Sequence, residues 1–470
     1  MKKPIKVALP KGRLLAETAS LLQEAGWGLN DYNAETRLYH LQSACFPELS
    51  AKIFNEKDIP VQVAIGNYDI GICGLDWIAE LLVKYPNSAV VKVKDMDYGR
   101  GYLDIYAPRF AERNIKEIAD NADLIRIASE YPNLAESYAA RSRFRKFSIF
   151  SLWGAAEVYP PENAELVLIP ESTKRKNVND ELIPLNRVLK YNACMITNRF
   201  SWETKDMSRF LVSIPETKPA GVTSLTVSTE LKTEKKKIFW SDNDVISMAL
   251  PDGHQQTPTI DLLNNAGIKV ENYLSSGGNR RPTCNLDGLL LKVIRPQDMP
   301  SQVANGNFDL AITGKDWLKN HLYQFPSSPV AEILDLKYGW VRIVSVVSNN
   351  WPVNDTSGLR KYVRDRDLSL RVASEYVNIA DKYARDNHMG MYRIIPTWGA
   401  TETFVPDDAD VLIENTQTGK TLAKNNLKII DVLFESTACL IGRTNVKYSA
   451  LKEQRIKDIA AKLSAALQES

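Results

Sequence analysis

Cysteine, histidine, net charge and long apolar runs are all scarce in this chain, and each scarcity closes off a class of function. Five cysteines among 470 residues (Cys45, Cys73, Cys194, Cys284 and Cys439) stand far apart. They lack the paired spacing of a zinc site or a thioredoxin-like motif, which points to a reduced, cytoplasmic interior. The four histidines, His40, His254, His321 and His388, show no ligand spacing either, so no metal-ligand set is assigned. The formal charge of +2, from 59 basic and 57 acidic residues spread along the chain, generates no global field for nucleic acid or an anionic membrane. An anionic substrate must therefore be held by local groups. No run reaches the roughly 18 apolar residues of a membrane span, and Lys11 and Arg13 interrupt the apolar start. Neither export nor membrane insertion is expected.

What is present is ample core material, 44% hydrophobic and 25% charged residues, arranged as an internal repeat. The run Tyr68 to Trp77, YDIGICGLDW, returns as FDLAITGKDW from Phe308 to Trp317. ASEYPNLAESYA from Ala128 returns as ASEYVNIADKYA from Ala373, and WGAAE from Trp153 as WGATE from Trp398. The offset is 240 at Pro60/Pro300 and 245 at Asn133/Asn378, a duplication with one short insertion. This period far exceeds the roughly 20 to 50 residues of solenoid repeats, so each copy should fold as a body. The copies are read as residues 1–215 and 244–470, joined by a connecting segment, 216–243, that contains Pro219, Gly221 and the cluster Lys232, Lys235, Lys236 and Lys237. The nine tryptophans, among them the matched pairs Trp77/Trp317 and Trp153/Trp398, read as packing residues.

Short apolar strands alternate with helical stretches inside each copy. Ile5 to Leu9 reads as a buried strand, Leu14 to Ala25 as a helix stopped by Gly26, and Ile70 to Cys73 as a strand closed by Gly74. Such alternation predicts an α/β fold with mostly parallel sheets covered on both faces, whose ligands bind beyond the carboxyl ends of the strands. Two motifs sit at such ends. In the second copy, the strand Ala409 to Ile413 leads into Glu414 and then Thr418-Gly419-Lys420-Thr421-Leu422. Consecutive backbone N–H groups and two hydroxyls there can form an anion nest, with Lys420 adding charge and Glu414 accepting from sugar hydroxyls. A plain turn is the alternative. In the first copy, the strand at Ile5 runs into Pro10-Lys11-Gly12-Arg13. Two cations at the start of a helix oppose its dipole by roughly 0.3 to 1 kcal/mol and ask for an anion, for which a polyphosphate is suited; simple solvation is the other reading.

Taken in order, LPKGRL, R-P-x-D-x-P, G-x-x-D-x-x-I-x-G-x-D, A-S-E-Y, G-x-x-E and D/E-x-x-x-T-G-x-T-L resemble the ATP phosphoribosyltransferase family that opens histidine biosynthesis. The resemblance covers both copies and implies, for each, the short catalytic form, a two-lobed fold like that of type II periplasmic binding proteins, with no regulatory domain expected after the second copy. It implies transfer of the 5-phosphoribosyl group from phosphoribosyl pyrophosphate to N1 of ATP, or of a related purine nucleotide, with Mg²⁺ as cofactor. It places the ribose 5-phosphate on Thr418, Gly419, Lys420, Thr421 and Leu422, and ribose hydroxyls on Glu414. The triphosphate or pyrophosphate goes to Lys11, Gly12, Arg13 and Arg295, and Asp316 and Glu402 line the nucleotide side. An internal pseudo-dimer is expected, with a further copy or an accessory subunit left open.

The copies depart from this pattern in opposite places. Aligned with Glu414 to Leu422, the first copy reads Ile169-Pro170-Glu171-Ser172-Thr173-Lys174-Arg175-Lys176-Asn177, and lysines where the glycine and second threonine stood leave no room for a phosphate. Where the first copy has Lys11-Gly12-Arg13, the second has Asp252-Gly253-His254, with Asp252 expected to repel a polyphosphate. One reading is a composite enzyme with one site per chain; the others are a binding or regulatory pseudoenzyme and a transferase with a changed acceptor. Random loss would not leave complementary halves, which favours the composite enzyme.

Overall fold

The computed structural model describes residues 4–33, 39–109, 118, 122–171, 181–214, 244–274, 280–399 and 401–469. The connecting segment 216–243 and the first-copy loop from Ser172 to Asn177 lie outside the described residues. Contacts divide the chain into two compact units. One holds Met1–Leu152, Tyr159–Lys236 and Trp398–Ala400, and the other Trp153–Val158, Lys237–Thr397 and Thr401–Ser470.

Unit 1 contains two sheets. The first, six-stranded, has the order His40–Gln42, Leu49–Phe54, Ile5–Pro10, Ile70–Gly74, Ala193–Asn198, Val90–Asp95. Ile5–Pro10 lies parallel to both neighbours and is buried almost throughout, which is why it reads as an unbroken apolar run. The helix Leu15–Glu24 follows it and stops where Gly26 turns left-handed, φ +70°. The second sheet, five-stranded, has the order Leu182–Tyr191, Gly101–Pro108, Leu166–Pro170, Ile125–Ser129, Phe147–Ser151. The chain crosses between sheets twice, after Val90–Asp95 and again between Leu182–Tyr191 and Ala193–Asn198, and the returning strand pairs antiparallel with Ile70–Gly74 and Val90–Asp95. The sheets are mixed rather than mostly parallel as the alternation of strand and helix suggested: His40–Gln42 pairs antiparallel with its neighbour, and Ala193–Asn198 and Gly101–Pro108 each pair antiparallel with both of theirs, because the chain returns across the lobes. Two lobes joined by two crossovers make the type II binding-protein-like architecture that the family resemblance implies.

Unit 2 repeats the plan, with the sheet Leu289–Ile294, Ile246–Pro251, Leu310–Gly314, Ala438–Arg443, Val330–Asp335 and the sheet Tyr392–Pro396, Leu370–Ser374, Val411–Thr416, Val341–Ser348, Leu427–Ser436. The core of its first lobe is capped by Ile459, Leu463 and Ala466 of the helix Ala450–Glu469. Trp317 and Tyr376 belong to its second apolar cluster and stack at 4.3 Å, as Trp77 and Tyr131 do in unit 1 at 4.2 Å. These tryptophans are packing residues, as the sequence indicates.

In both units the helix after the third central strand starts at a glycine, Gly74 before Leu75–Lys84 and Gly314 before Lys315–Gln324. Neither glycine has an unusual φ; space is what matters. A Cβ on Gly314 would collide with Oδ1 of Asp316, two residues on. The helix can therefore present Asp316 inward, with its carboxylate folded back over the helix start, only because position 314 has no side chain. Gly314→Ala is expected to displace this carboxylate and destabilise unit 2 by about 1 to 3 kcal/mol. Differential scanning calorimetry should show the fall, at roughly 2 to 4 °C per kcal/mol for a body of this size.

Candidate active site

The phosphate-loop candidate lies in unit 2. The strand preceding it spans Val411–Thr416 and runs further than the sequence pattern indicates, so Glu414 sits within the strand, opposite Val344. The chain then turns at Gly419, φ +74°, into the short helix Lys420–Lys424. The turn is held by its own hydroxyls: Thr416 Oγ1 accepts from the Gly419 N–H at 3.0 Å, and Thr418 Oγ1 accepts from the Lys420 N–H at 3.4 Å. Thr418, Lys420 and Thr421 are exposed, whereas Leu422 is buried at 3%. Leu422 thus anchors the loop with its side chain, leaving its backbone to any ligand.

Glu414 is half-buried, and its Oε1 accepts from the Asn415 N–H at 3.0 Å. Burial, then the neighbouring charges of Glu375 and Glu402, push its carboxyl up to about 8. Three glutamates thus converge by the loop, with Glu402 on the short helical turn Thr401–Thr403. The first copy does not reproduce this. Ile169 stands at the position of Glu414, and Glu130, matching Glu375, is tied to Lys57 at 2.8 Å. Glu375 was missed in the sequence because it reads as part of the A-S-E-Y packing motif.

Asp316 is buried and locked between lobes rather than open to a ligand. Its Oδ2 accepts from the Tyr376 hydroxyl at 2.6 Å and its Oδ1 from Ser436 Oγ at 2.8 Å, while Asn415 Nδ2 donates to the Tyr376 hydroxyl at 3.0 Å. Its role is to position Tyr376 and Asn415 beside Glu414.

The cationic turn of unit 1 corrects one expectation. Arg13 does have anionic partners, but they are protein carboxylates. Its guanidinium reaches Glu56 at 3.0 Å and Asp76 at 2.8 Å, with the ring of Tyr191 at 4.9 Å. Burial opposes its charge, but Asp76 and Glu56 more than compensate, and the arginine pKa is raised. Burial lifts the Glu56 carboxyl above its ordinary value, while Arg13 draws it back down. Lys11, in contrast, is exposed and, among the described residues, its ammonium donates to the Tyr39 hydroxyl at 3.2 Å and has no carboxylate in ion-pair range. Gly12 turns the chain between them with φ +86°.

A second correction concerns Asp252. It does not stand as a bare anion: Arg280 lies 2.9 Å and Arg295 3.1 Å from the same oxygen. Asp252 is thus matched by two guanidinium groups and does not present the bare negative charge that the sequence indicated. Arg280 escaped the sequence reading because its neighbours from 275 to 279 carry no repeat signal. Its counterpart is Tyr39, for the carbonyls of both residues accept from equivalent strand positions, Ile53 and Val293. Trp153–Val158 completes this corner of unit 2. The Trp153 N–H donates to both oxygens of Asp298 at 3.1 Å, and a Cβ on Gly154 would come within 3.0 Å of Arg295 Nε.

Because the Glu414 carboxyl titrates above its ordinary range, the folded chain keeps a proton that the unfolded chain gives up, and stability declines as pH rises from about 4.5 to about 8. Glu414→Gln removes this dependence. Its melting temperature should exceed that of the parent at pH 8.5 by several degrees, and the gap should close by about pH 5, read by thermal denaturation across pH.

Comparison with known proteins agrees with this duplicated geometry. The profile of the HisG family, ATP phosphoribosyltransferase, matches residues 55–216 and again 295–465. The ATP phosphoribosyltransferase of Chlorobium phaeovibrioides is 33% identical over 233 residues, covering 48% of this chain and 73% of that protein. That of Geotalea uraniireducens is 30% identical over 231 residues, covering 48% and 74%. Among solved structures, the ATP phosphoribosyl transferase (HisG:HisZ) complex from Thermotoga maritima aligns with 48% of this chain and 100% of that one, at 20% identity and a TM-score of 0.39. With one profile matched twice, over more than half of its residues in all, this chain belongs to the ATP phosphoribosyltransferase family and carries two copies of its catalytic unit in tandem.

Proposed function

We propose that the chain transfers the 5-phosphoribosyl group of phosphoribosyl pyrophosphate to N1 of ATP, and that unit 2 holds the phosphoribosyl half of the site. The observation that carries this reading is the left-handed turn at Gly419, set between exposed Thr418, Lys420 and Thr421 and next to Glu414. The nest takes the 5-phosphate, and Glu414 takes the ribose hydroxyls. Adenine N1 attacks C1 of the ribose as the C1–oxygen bond to pyrophosphate breaks, with inversion and an oxocarbenium-like transition state. Pyrophosphate carries away the bonding electron pair. No protein nucleophile is required; the residues position two polyanions and oppose the charge that develops on the leaving group.

Arg280 and Arg295 are the cations of unit 2 for that charge. Lys11 is the cation the first copy supplies, in keeping with the complementary losses of the two copies, while Arg13 holds the first-copy turn in shape. Among the described residues no group of three or more histidine, cysteine, aspartate or glutamate side chains is arranged to hold a metal ion. Mg²⁺ therefore enters as the counter-ion of phosphoribosyl pyrophosphate, as part of the substrate.

Magnesium phosphoribosyl pyrophosphate should bind once per chain in titration calorimetry. Gly419→Lys, which places at this turn the residue the first copy has as Lys174, should abolish the binding. Two equivalent sites, or undiminished binding in the variant, would remove the assignment to unit 2.

Lys11 and Arg13 should separate in a pyrophosphate-release assay run with a panel of purine nucleotides. Lys11→Ala should slow turnover roughly ten- to a hundredfold, the loss of one charge-assisted contact of about 1.5 to 3 kcal/mol, with the melting temperature unchanged. Arg13→Ala should instead destabilise unit 1 by about 3 to 5 kcal/mol, because Glu56 and Asp76 are left buried without their partner. Turnover that Lys11→Ala leaves untouched would confine the reaction to unit 2, and a parent chain that releases no pyrophosphate with any purine nucleotide would leave a binding protein.

A further inference from the structure

A groove of about 240 Å³ opens in unit 2 along the edge strand Leu427–Ser436, and none of its lining residues belongs to the site described above. One wall is a single face of the helix Val377–Asp386, where Lys382 and Asp386 stand one turn apart above buried Ile379 and Tyr383. The other wall is the strand, with Asp431 and Phe434, and Tyr323 closes one end.

We infer that this groove binds a small organic cation, a primary amine carried on an aromatic or branched apolar body. Among the lining residues Asp386 and Asp431 stand against one lysine, Lys382, which is spent on Asp386 at 2.7 Å; Lys319, outside the lining, brings a second cation to the ring of Phe434 and leaves Asp431 as the carboxylate for a ligand's ammonium. Asp431 is pre-positioned. Its Oδ2 accepts from Thr356 Oγ1 at 2.9 Å, and Thr356 is in turn held at 3.0 Å from the Tyr383 hydroxyl. The rings already serve as cation platforms, with Lys382 Nζ 5.3 Å from the centre of Tyr323 and Lys319 Nζ 3.8 Å from that of Phe434. An ammonium meeting Asp431, with its apolar body laid along Phe434 and Leu433, satisfies both the charge and the exposed apolar surface.

The duplication supplies an internal control. At the same places in equally long elements, the first copy has Val83 for Tyr323, Arg141 for Asp386, Asn186 for Asp431 and Leu189 for Phe434. There Asn186 Nδ2, in the place of the Asp431 carboxylate, donates to the Tyr138 hydroxyl at 2.9 Å, and Arg141 puts a cation where Asp386 has an anion. One framework thus carries both versions, and the acidic, aromatic groove is an addition of the second copy.

The test uses the full chain, with 2-phenylethylamine as ligand and phenylacetate as its charge-reversed control, followed by titration calorimetry and ligand-observed NMR. The amine should bind saturably at one site per chain, at least tenfold more tightly than the acid. Asp431→Asn should weaken it tenfold or more, and Phe434→Leu severalfold. Both variants install residues that the first copy tolerates in the same strand position; if Asp431→Asn nevertheless melts early, Phe434→Leu and Tyr323→Val decide alone. Gly419→Lys should leave amine binding unchanged, so that this site stands or falls apart from the phosphoribosyl reading. Absence of saturable amine binding, equal affinity for phenylacetate, or affinity indifferent to these substitutions overturns the proposal.

Discussion

A buried carboxylate at the start of one helix joins the two lobes of each unit, and the remaining site geometry depends on it. In unit 2 this is Asp316, bonded to Tyr376 from the second lobe and Ser436 from the crossover strand; in unit 1 it is Asp76, bonded to Tyr131 and Arg13. A charge in such a place is tolerated only when its partners are supplied in full, and the positive end of the helix contributes to that supply. Because Tyr376 is fixed by Asp316, it also fixes Asn415, and with it the strand that carries Glu414 into the phosphate loop.

The two copies solve this shared problem differently, and the differences fall at matched positions. Around the opening turn, the positions held by Lys11, Tyr39 and Asn55 in one copy are held by Asp252, Arg280 and Arg295 in the other. Arg13 with Glu56 stands where the second copy has His254 with Pro296. Charge has moved from one member of each pair to the other while the strands and turns kept their places, as expected when local ion pairs have to balance within a few ångströms. The second copy gathers Glu375, Glu402 and Glu414, and burial together with the neighbouring charges of the first two raises the Glu414 carboxyl. The first copy has removed one of them and paired another with Lys57.

Electrostatic strain of this kind is common where a site awaits a ligand. In the proposed reading, the glutamates beside the Gly419 turn meet the hydroxyls of the ribose. In unit 1 the matching carboxylate Glu130 is paired with Lys57, and Arg13 is paired with Glu56 and Asp76.

The duplication, the alternation of strand and helix, the strand closed by Gly74 and the turn at Gly419 were all legible in the sequence. Each is a local pattern, set by apolar period, by backbone conformation or by direct repetition, and none needs a distant partner to be recognised. The partners of the charges were not legible. That Arg13 meets Glu56 and Asp76, that Arg280 and Arg295 share Asp252, and that Glu375 and Glu402 crowd Glu414 all join residues brought together by parallel strands and lobe crossovers. The chain by itself determined which groups carry charge and which turns can cradle an anion. Only the tertiary structure decided which of those charges are already spent on one another, because Coulomb energy falls with distance in space and takes no account of distance along the chain.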